Sequence, residues 1–298
     1  MKRLFPIFSV ITVLLLAYGF YEAIWVAPTE RTMGDVQRIF YYHVPSAWTA
    51  FLLFFINFLA SVQFLASATP TTRRAVAWTF DILGAIGAIA AFYIPLPAGM
   101  EPSAVATTVL MIPLSYYIVG KFFDGPALDI LAVTAAEVGV VFCTIVLVTG
   151  PIWARPVWGI WWTWDLRLTT TLVLWLIYVS YLVLRRFSDS AQTPKLAAVL
   201  AVFGALDVPL VYFSIWFFRT QHPQPVIGGG GSIDPRMMHV LLINWLAFSC
   251  LAGMVCWARY NLEKMKRDID EALALESLMG TDSATQAKAQ IPLGRGPA

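Results

Sequence analysis

Residues 127–149 read ALDILAVTAAEVGVVFCTIVLVT. This run is apolar apart from a few short polar side chains and two carboxylates, Asp129 and Glu137. It exceeds the roughly 20 residues that a helix needs to cross the hydrocarbon core of a bilayer. The stretch therefore predicts a transmembrane helix.

The rest of the chain has the same character. Of its 298 residues, 59% are hydrophobic and only 13% are charged, whereas soluble domains carry about a quarter charged residues. We predict an all-α, polytopic transmembrane helix bundle with about eight spans. The predicted spans are 5–26, 47–66, 76–95, 104–120, 127–149, 168–185, 195–217 and 238–258. The run 104–120 is interrupted by Pro113, so it is either a kinked span or a re-entrant segment.

The distribution of basic residues predicts the orientation. With eight spans and a cytoplasmic N-terminus, the inner segments carry about twice as many Lys and Arg residues as the outer loops. The first span has no small-residue cleavage site after it and is expected to stay attached. We expect a membrane domain over 1–258 and a cytoplasmic part over 259–298, comprising a helical extension over 259–278 and a disordered tail. The outer loops are then 27–46, 96–103, 150–167 and 219–237.

One outer loop, 150–167, is rich in tryptophan. Its segment 153–169 reads WARPVWGIWWTWDLRLT, which is more than an interfacial aromatic belt requires. If this segment is helical, Trp158, Trp161, Trp162 and Asp165 share one face and form a flat apolar platform. Such a surface suits a planar aromatic ligand, and Arg155 and Arg167 could bind the carboxylates of that ligand. Asp165 is expected to brace an arginine or the loop backbone.

Two of the three histidines fall on the same predicted face. His43 lies in RIFYYHVPSAW before the second span, and His222 lies in FRTQHPQP after the seventh. A pair of imidazoles on opposite sides of a macrocycle is a common way to hold haem iron. Arg38, near His43, could reach a propionate. His239 is interpreted as a structural residue.

Other site classes find little support. A zinc site would need three or four clustered ligands, and the chain has neither HExxH nor a cysteine in an outer loop. The cysteines form no CxxC or CxxCH motif, which excludes a c-type cytochrome and a thiol-redox protein of the usual kind. A net charge of +2 spread over membrane-flanking segments indicates no nucleic-acid partner.

These motifs resemble those of a known family. WGIWWTWDLRLT is similar to the WWD signature of haem-handling proteins in cytochrome c biogenesis, and YYHVPSAW resembles the first-loop histidine motif of the CcmC branch (cytochrome c maturation protein C). The stretch from Asp207 to His222 resembles the later histidine-bearing loop of that branch. The resemblance covers most of the chain, with the motifs in family order.

The resemblance implies a function. It implies that haem b binds transiently on the periplasmic face of the bacterial inner membrane, with His43 and His222 as axial ligands of the iron. The platform would comprise Trp158, Trp161, Trp162, Trp164 and Asp165, with Trp153 beside it and Arg38 and Arg167 as basic partners; Arg155 is added as a third basic partner from its place in the tryptophan-rich segment. The haem would pass to the chaperone CcmE, beside the transporter subunits CcmA and CcmB and the small protein CcmD. Such a protein is a delivery protein rather than an enzyme, although it could assist covalent attachment to the chaperone.

The chain departs from the family in one respect. The family usually has six spans, and this chain carries two additional apolar segments within 67–126. An even number of inserted spans keeps His43 on the same side as the WWD motif, whereas an odd number would separate them.

Two functions other than haem delivery remain open. A membrane b-type cytochrome that acts on a quinone would place histidine pairs within its helices, usually two pairs for two haems. A transporter would show repeated halves and broken helices, and no internal repeat is evident. Three carboxylates, Asp81, Glu137 and Asp207, fall within apolar runs and are expected to be neutral or paired with polar side chains.

Overall fold

The computed structural model describes residues 4–96, 100–188, 190–218, 220–223 and 233–289, with side chains described up to residue 277. In these residues the fold is all-α, as predicted, and contains no β-strand. The α-helices are α1 Leu4–Tyr21, α2 Phe40–Ala66, α3 Pro70–Ala90, α4 Pro102–Phe122, α5 Gly125–Trp158, α6 Leu166–Phe187, α7 Thr193–Ala205, α8 Asp207–Phe217 and α9 Pro235–Ala289. A π-helical turn, Glu22–Val26, follows α1, and a 3₁₀ turn, Asp35–Ile39, precedes α2.

Seven helical segments in the described part of the chain are long and apolar enough to cross a membrane. They are Leu4–Val26, Asp35–Ala66, Pro102–Phe122, Gly125–Trp158, Leu166–Phe187, Thr193–Phe217 and Pro235–Ser277. The chain is therefore a multi-pass membrane protein. Each segment contains one of the predicted spans. The segment with Pro113 forms the continuous helix α4 rather than a re-entrant turn.

The predicted span 76–95 is the exception. The chain forms a helix there, but α3 covers Pro70–Ala90 and carries Arg73, Arg74 and Asp81, which leave it too charged to qualify as a span. Its outward-facing side chains are nevertheless apolar: Trp78, Ile82, Ile86 and Ile89 are each more than half exposed. Such a stripe suits contact with lipid.

The core of the bundle is the antiparallel pair α2 and α5. The Asn57 side chain on α2 donates a hydrogen bond to the Ala132 carbonyl on α5, at 2.7 Å. Gly139 allows the close approach, because a Cβ atom there would lie 2.7 Å from the buried Phe54 ring. That ring stacks on Tyr178 of α6, with the centroids 3.8 Å apart. The Phe54 ring of α2 therefore contacts both α5, at Gly139, and α6, at Tyr178.

A buried ion pair joins α5 to α6 near the end where α5 begins. Two guanidinium nitrogens of Arg185 donate to the two carboxylate oxygens of Asp129, at 2.7 and 2.8 Å. Asp129, which lies in the apolar stretch 127–149, is therefore neutralised by a bidentate ion pair with Arg185.

The predicted single span 195–217 is divided at Leu206 into α7 and α8.

Helices α3 and α4 form a hairpin that packs against α2. The Phe80 ring on α3 lies 6.2 Å from Phe58 on α2 and stacks at 4.7 Å on Tyr116 of α4. The Gln63 side chain on α2 donates to the Tyr116 carbonyl at 2.6 Å. Because the hairpin returns the chain to the end where α2 stops, α5 starts there and runs back towards the start of α2. The additional pair of helices therefore does not separate His43 from the tryptophan-rich segment.

The chain divides into two compact units, Met1–Cys256 and Trp257–Ala298. In the second unit, Arg267 and Glu263 form an ion pair at 3.2 Å across one helical turn. Helix α9 extends to Ala289, so the helical extension is longer than the sequence predicts. Residues 290–298 of the predicted disordered tail lie outside the described residues.

The contact at Gly139 gives a stability prediction. We expect Gly139→Ala to lower the thermal midpoint of the detergent-solubilised protein, because the new methyl group displaces Phe54 at a cost of about 1–3 kcal/mol. Gly253→Ala is the matched control, since a Cβ there would meet the Phe8 ring at an ordinary 3.8 Å. Equal midpoints for the two variants would contradict the close packing of α2 on α5.

Candidate functional site

The tryptophan-rich segment is a helix end followed by a short irregular loop. Helix α5 continues to Trp158 and ends at Gly159, whose φ of 77° is a left-handed conformation that favours glycine. The Arg155 side chain donates to the Gly159 carbonyl and closes this end. Because the helix stops here, the shared helical face expected for Trp158, Trp161, Trp162 and Asp165 does not form. Outer loop 150–167 is correspondingly shorter than predicted.

Four of the five indoles form two edge-to-face pairs instead. Trp153 and Trp158 meet edge to face with ring centroids 5.2 Å apart, and Trp162 and Trp164 do so at 5.7 Å. Trp161 and Trp164 are 59% and 76% exposed, which leaves large apolar surfaces uncovered. The Trp162 indole N–H is buried, and no partner for it occurs among the described residues. This cluster has both apolar area and a spare donor for a ligand.

Asp165 fixes the backbone on both sides of the site. One carboxylate oxygen accepts from the Leu168 amide at 2.9 Å and caps the start of α6. The other accepts from the Thr220 hydroxyl at 2.8 Å and from the Gln221 amide at 3.3 Å. The sequence left open whether this residue braces an arginine or a backbone, and the structure favours the backbone.

The segment held by Asp165 carries His222. The Thr220 hydroxyl oxygen accepts from the His222 amide at 3.1 Å, so Asp165 and Thr220 form a chain that ends at this histidine. The imidazole Nδ1 lies 2.8 Å from the Pro223 carbonyl. A carbonyl can only accept, so Nδ1 carries the proton and the neutral ring keeps a lone pair on Nε2.

His222 is neutral near pH 7. Burial is the main cause, and together with the positive charge of Arg167 it lowers the pKa of His222 to about 3. A neutral imidazole with a free Nε2 is the form that binds a metal ion.

His43 lies on the first turns of α2 rather than in a loop. Its Nδ1 is 2.8 Å from the Thr149 hydroxyl on α5. That hydroxyl is 2.7 Å from the Ile145 carbonyl, to which it donates its own hydrogen. The Thr149 oxygen therefore accepts from His43 Nδ1–H, which leaves the lone pair on Nε2 here as well. Gly150 keeps space for the ring, since a Cβ there would lie 3.4 Å from His43 Cε1.

Arg167 lies beside both histidines. It is close enough for its positive charge to act on both imidazole rings. A guanidinium nitrogen of Arg167 donates to the Val211 carbonyl of α8 at 3.4 Å. One end of the bundle thus combines two imidazoles, a partly buried guanidinium and the start of α6.

The other basic residues proposed for the site are arranged differently. Arg38 donates to the carbonyls of Ala23 and Ala27 and to the Thr29 hydroxyl, at 2.8, 3.5 and 3.3 Å, so it fixes the end of the first span. Arg155 is exposed and caps α5. Of the three predicted basic partners, only Arg167 is close enough for its charge to act on both histidines.

The remaining candidates lie apart from this site. His239 borders a small cavity of about 270 Å³ that is also lined by Glu22 and Arg236. Asp81 accepts from the Tyr117 hydroxyl at 2.6 Å, which agrees with the expected polar partner. Asp207 is buried at the start of α8, and its Oδ2 meets no hydrogen-bond partner within the described residues.

Sequence reasoning missed two residues of the site, Thr149 and Thr220. Thr220 stands two residues before His222, where a hydroxyl commonly binds a nearby backbone amide, so its proximity was a usable signal. Thr149 contacts a residue 106 positions away, and no local pattern marks it.

Comparison with known proteins identifies relatives. Residues 87–274 match the family model described as CcmC, heme exporter protein C. The chain is 28% identical over 270 residues to the heme exporter protein C of Bradyrhizobium diazoefficiens, covering 90% of this chain and 81% of that protein. It is 27% identical to the proteins of the same name from Haemophilus influenzae, covering 89% of this chain and 87% of that protein, and from Escherichia coli K12, covering 83% and 77%. The family match begins after His43.

The role of Asp165 can be tested by hydrogen exchange. We expect Asp165→Ala to speed amide exchange in peptides that cover 220–223, because the carboxylate that holds Thr220 and Gln221 is lost. Thr220→Val should give part of this effect. Asp234→Ala removes another carboxylate of a predicted outer loop and serves as the control. Unchanged exchange in Asp165→Ala would contradict the proposed brace.

Proposed function

The chain belongs to the heme exporter protein C family, and on that premise we propose that it binds haem b between His43 and His222 and hands it on for cytochrome c maturation. The observation that carries this proposal is the meeting of both histidines and Arg167 at one end of the bundle. The family relationship supports haem handling in general, while the ligand residues are our inference from geometry.

The hydrogen bonds of the two histidines support the role of axial ligands. Nδ1 of His43 is hydrogen-bonded to the Thr149 hydroxyl, and Nδ1 of His222 is hydrogen-bonded to the Pro223 carbonyl. The Nε2 atoms of both rings are therefore available for iron. Haem is the proposed cargo, and its iron can bind two such nitrogens on opposite faces of the porphyrin ring. A protonated imidazole could not serve, so the lowered pKa of His222 has a functional use.

Arg167 is the proposed partner for a haem propionate. It lies beside the histidines, and its guanidinium can form charge-assisted hydrogen bonds with a carboxylate. Its charge would also offset the negative charge that propionates bring into a partly buried site. Arg38 would first have to release the carbonyls that it holds, so we assign it a structural role near the site.

The tryptophans provide the proposed platform. Trp161 and Trp164 expose most of their surfaces, and a porphyrin ring would cover apolar area that is otherwise open. Trp153, Trp158 and Trp162 complete the cluster around them. An uncovered edge also suits a protein that must release its cargo, so we propose delivery rather than catalytic turnover.

We further propose the cellular arrangement implied by the family resemblance. The haem site would face the periplasm from the inner membrane, with both termini in the cytoplasm, an arrangement in which α3 crosses the membrane together with α4 despite its charges. The recipient would be the haem chaperone CcmE, and the chain would work beside CcmA, CcmB and CcmD. A quinone-linked b-type cytochrome is less well supported, because the histidines provide a single pair at one end of the bundle.

The ligand assignment predicts the behaviour of histidine variants. We expect the purified protein loaded with ferric haem to show a six-coordinate, low-spin visible spectrum, and His43→Ala and His222→Ala each to lose it. His239→Ala is the control and should keep the wild-type spectrum, since this residue borders a different cavity. A low-spin spectrum that survives in either ligand variant would contradict the assignment.

Thr149 provides an independent test. Thr149→Val removes the acceptor that fixes the His43 tautomer, so we expect haem affinity to fall by about 10- to 100-fold in a haem titration. Thr149→Ser keeps the hydroxyl and should bind nearly as wild type. Thr107→Val in α4 removes an equivalent hydroxyl that bonds only to its own helix and should leave affinity unchanged. Equal affinities for Thr149→Val and Thr149→Ser would count against the tautomer argument.

A further inference from the structure

A basic cavity lies at the opposite end of α2 from His43. Its volume is about 450 Å³, and it opens where the hairpin of α3 and α4 meets the end of α2. Three cationic side chains line it: Arg73 and Arg74 from the first turn of α3, and Lys121 from the last turn of α4. The remaining lining residues are Gln63, Pro70, Ala77, Tyr116, Tyr117 and Gly120.

The charge of these three cations is not balanced by an acidic partner in the described part of the chain. None of them forms a salt bridge with a carboxylate in the described residues, and no carboxylate lines the cavity. The nearest carboxylate along α3, Asp81, is engaged by the Tyr117 hydroxyl at 2.6 Å. The hydrogen bond from Arg73 to the Gly120 carbonyl is long, at 3.5 Å, and leaves most of its donors available. Three adjacent positive charges repel one another, so an anion in the cavity would lower their energy.

The position of the cavity points to the membrane surface. Twenty residues of α2 separate His43 from Gln63, which corresponds to about 30 Å of helix, the thickness of a hydrocarbon core. The cavity therefore lies near one bilayer interface when His43 lies near the other. Tyr117 lines the cavity, and Trp78 follows the lining residue Ala77 on α3. The two side chains are 49% and 66% exposed and are of the types that favour the headgroup level.

The surroundings fit a ligand with both a charged head and apolar chains. Below the cationic residues, α3 presents the exposed side chains of Ile82 and Ile86, and α4 presents those of Leu114 and Ile118. These exposed faces suit acyl chains, while the first turn of α3 adds the favourable dipole of a helix N-terminus. Basic pockets of this kind between membrane helices bind anionic lipid headgroups.

We propose that this cavity binds the phosphate headgroup of an anionic phospholipid. Arg73 and Arg74 contact the phosphate oxygens, and Lys121 contributes a third positive charge. The acyl chains lie along the exposed faces of α3 and α4. Bound in this way, the lipid stabilises the hairpin against α2 at the interface opposite the haem site. The proposal requires only that α2 and α4 span a membrane with α3 packed along α4, and it is independent of haem binding.

Native mass spectrometry of the full-length protein in neutral detergent tests this proposal. The probes are phosphatidylglycerol and, as the uncharged comparison, phosphatidylcholine. We expect the wild type to retain a phosphatidylglycerol molecule preferentially and Arg73→Gln/Arg74→Gln to weaken this binding by at least about tenfold. The double variant Arg186→Gln/Lys195→Gln is the matched control, because it removes the same charge from exposed residues outside the cavity.

Three results would overturn the proposal. They are unchanged phosphatidylglycerol binding in the cavity variant, an equal loss in the matched control, and displacement of the lipid by inorganic phosphate at low millimolar concentration. The last would identify a site for free phosphate instead. Arg73→Lys/Arg74→Lys keeps the charge and should retain much of the preference. A far-ultraviolet circular dichroism spectrum that matches the wild type shows that the cavity variant is folded, so a local loss of lipid binding is separable from general misfolding.

Discussion

The antiparallel packing of α2 against α5 is the constraint on which the rest of the molecule depends. It brings the first turns of α2, with His43, beside the last turns of α5, with Thr149. The same packing directs the chain that leaves α5 into the tryptophan cluster next to the histidine. Gly139 and Phe54 allow the two helices to approach closely, and the Phe54–Tyr178 stack adds α6 to the pair. The site is therefore assembled by helix packing over a long sequence separation.

The two ends of the bundle carry different chemistry. One end presents imidazoles, indoles and Arg167, which suits a flat ligand with carboxylate groups. At the other end, the Asp129–Arg185 pair is neutralised internally, while Arg73 and Arg74 remain without an acidic partner in the described structure. This difference agrees with the haem site proposed at one membrane surface and the lipid site proposed at the other.

Composition was sufficient to predict most of the fold. Long apolar runs without charges have few alternatives to a transmembrane helix, so seven of the eight predicted spans correspond to suitable helices. The run 76–95 was less well predicted, because the helix begins earlier and includes Arg73 and Arg74. The division at Leu206 was also missed, although Pro209 three residues later is compatible with the first turn of a new helix.

The site was predictable in its residue types but not in its local geometry. The sequence identified His43, His222 and Arg167, which the structure brings together, and their roles as haem ligands and partner stay predictions. It did not predict the end of α5 at Gly159, which separates two pairs of indoles. It also could not assign Arg38 to the backbone of Ala23 or Thr149 to His43, because both contacts depend on how separate elements pack.

The central claim is that two histidines from distant parts of the chain bind one haem iron. Pulsed electron paramagnetic resonance of the ferric, haem-loaded protein tests it most directly when all histidines are labelled with ¹⁵N. The account predicts that two imidazole nitrogens couple to one low-spin iron in the wild type, and that one remains when either His43 or His222 is replaced. A single coupled imidazole in the wild type, or an unchanged pair after either replacement, would contradict it.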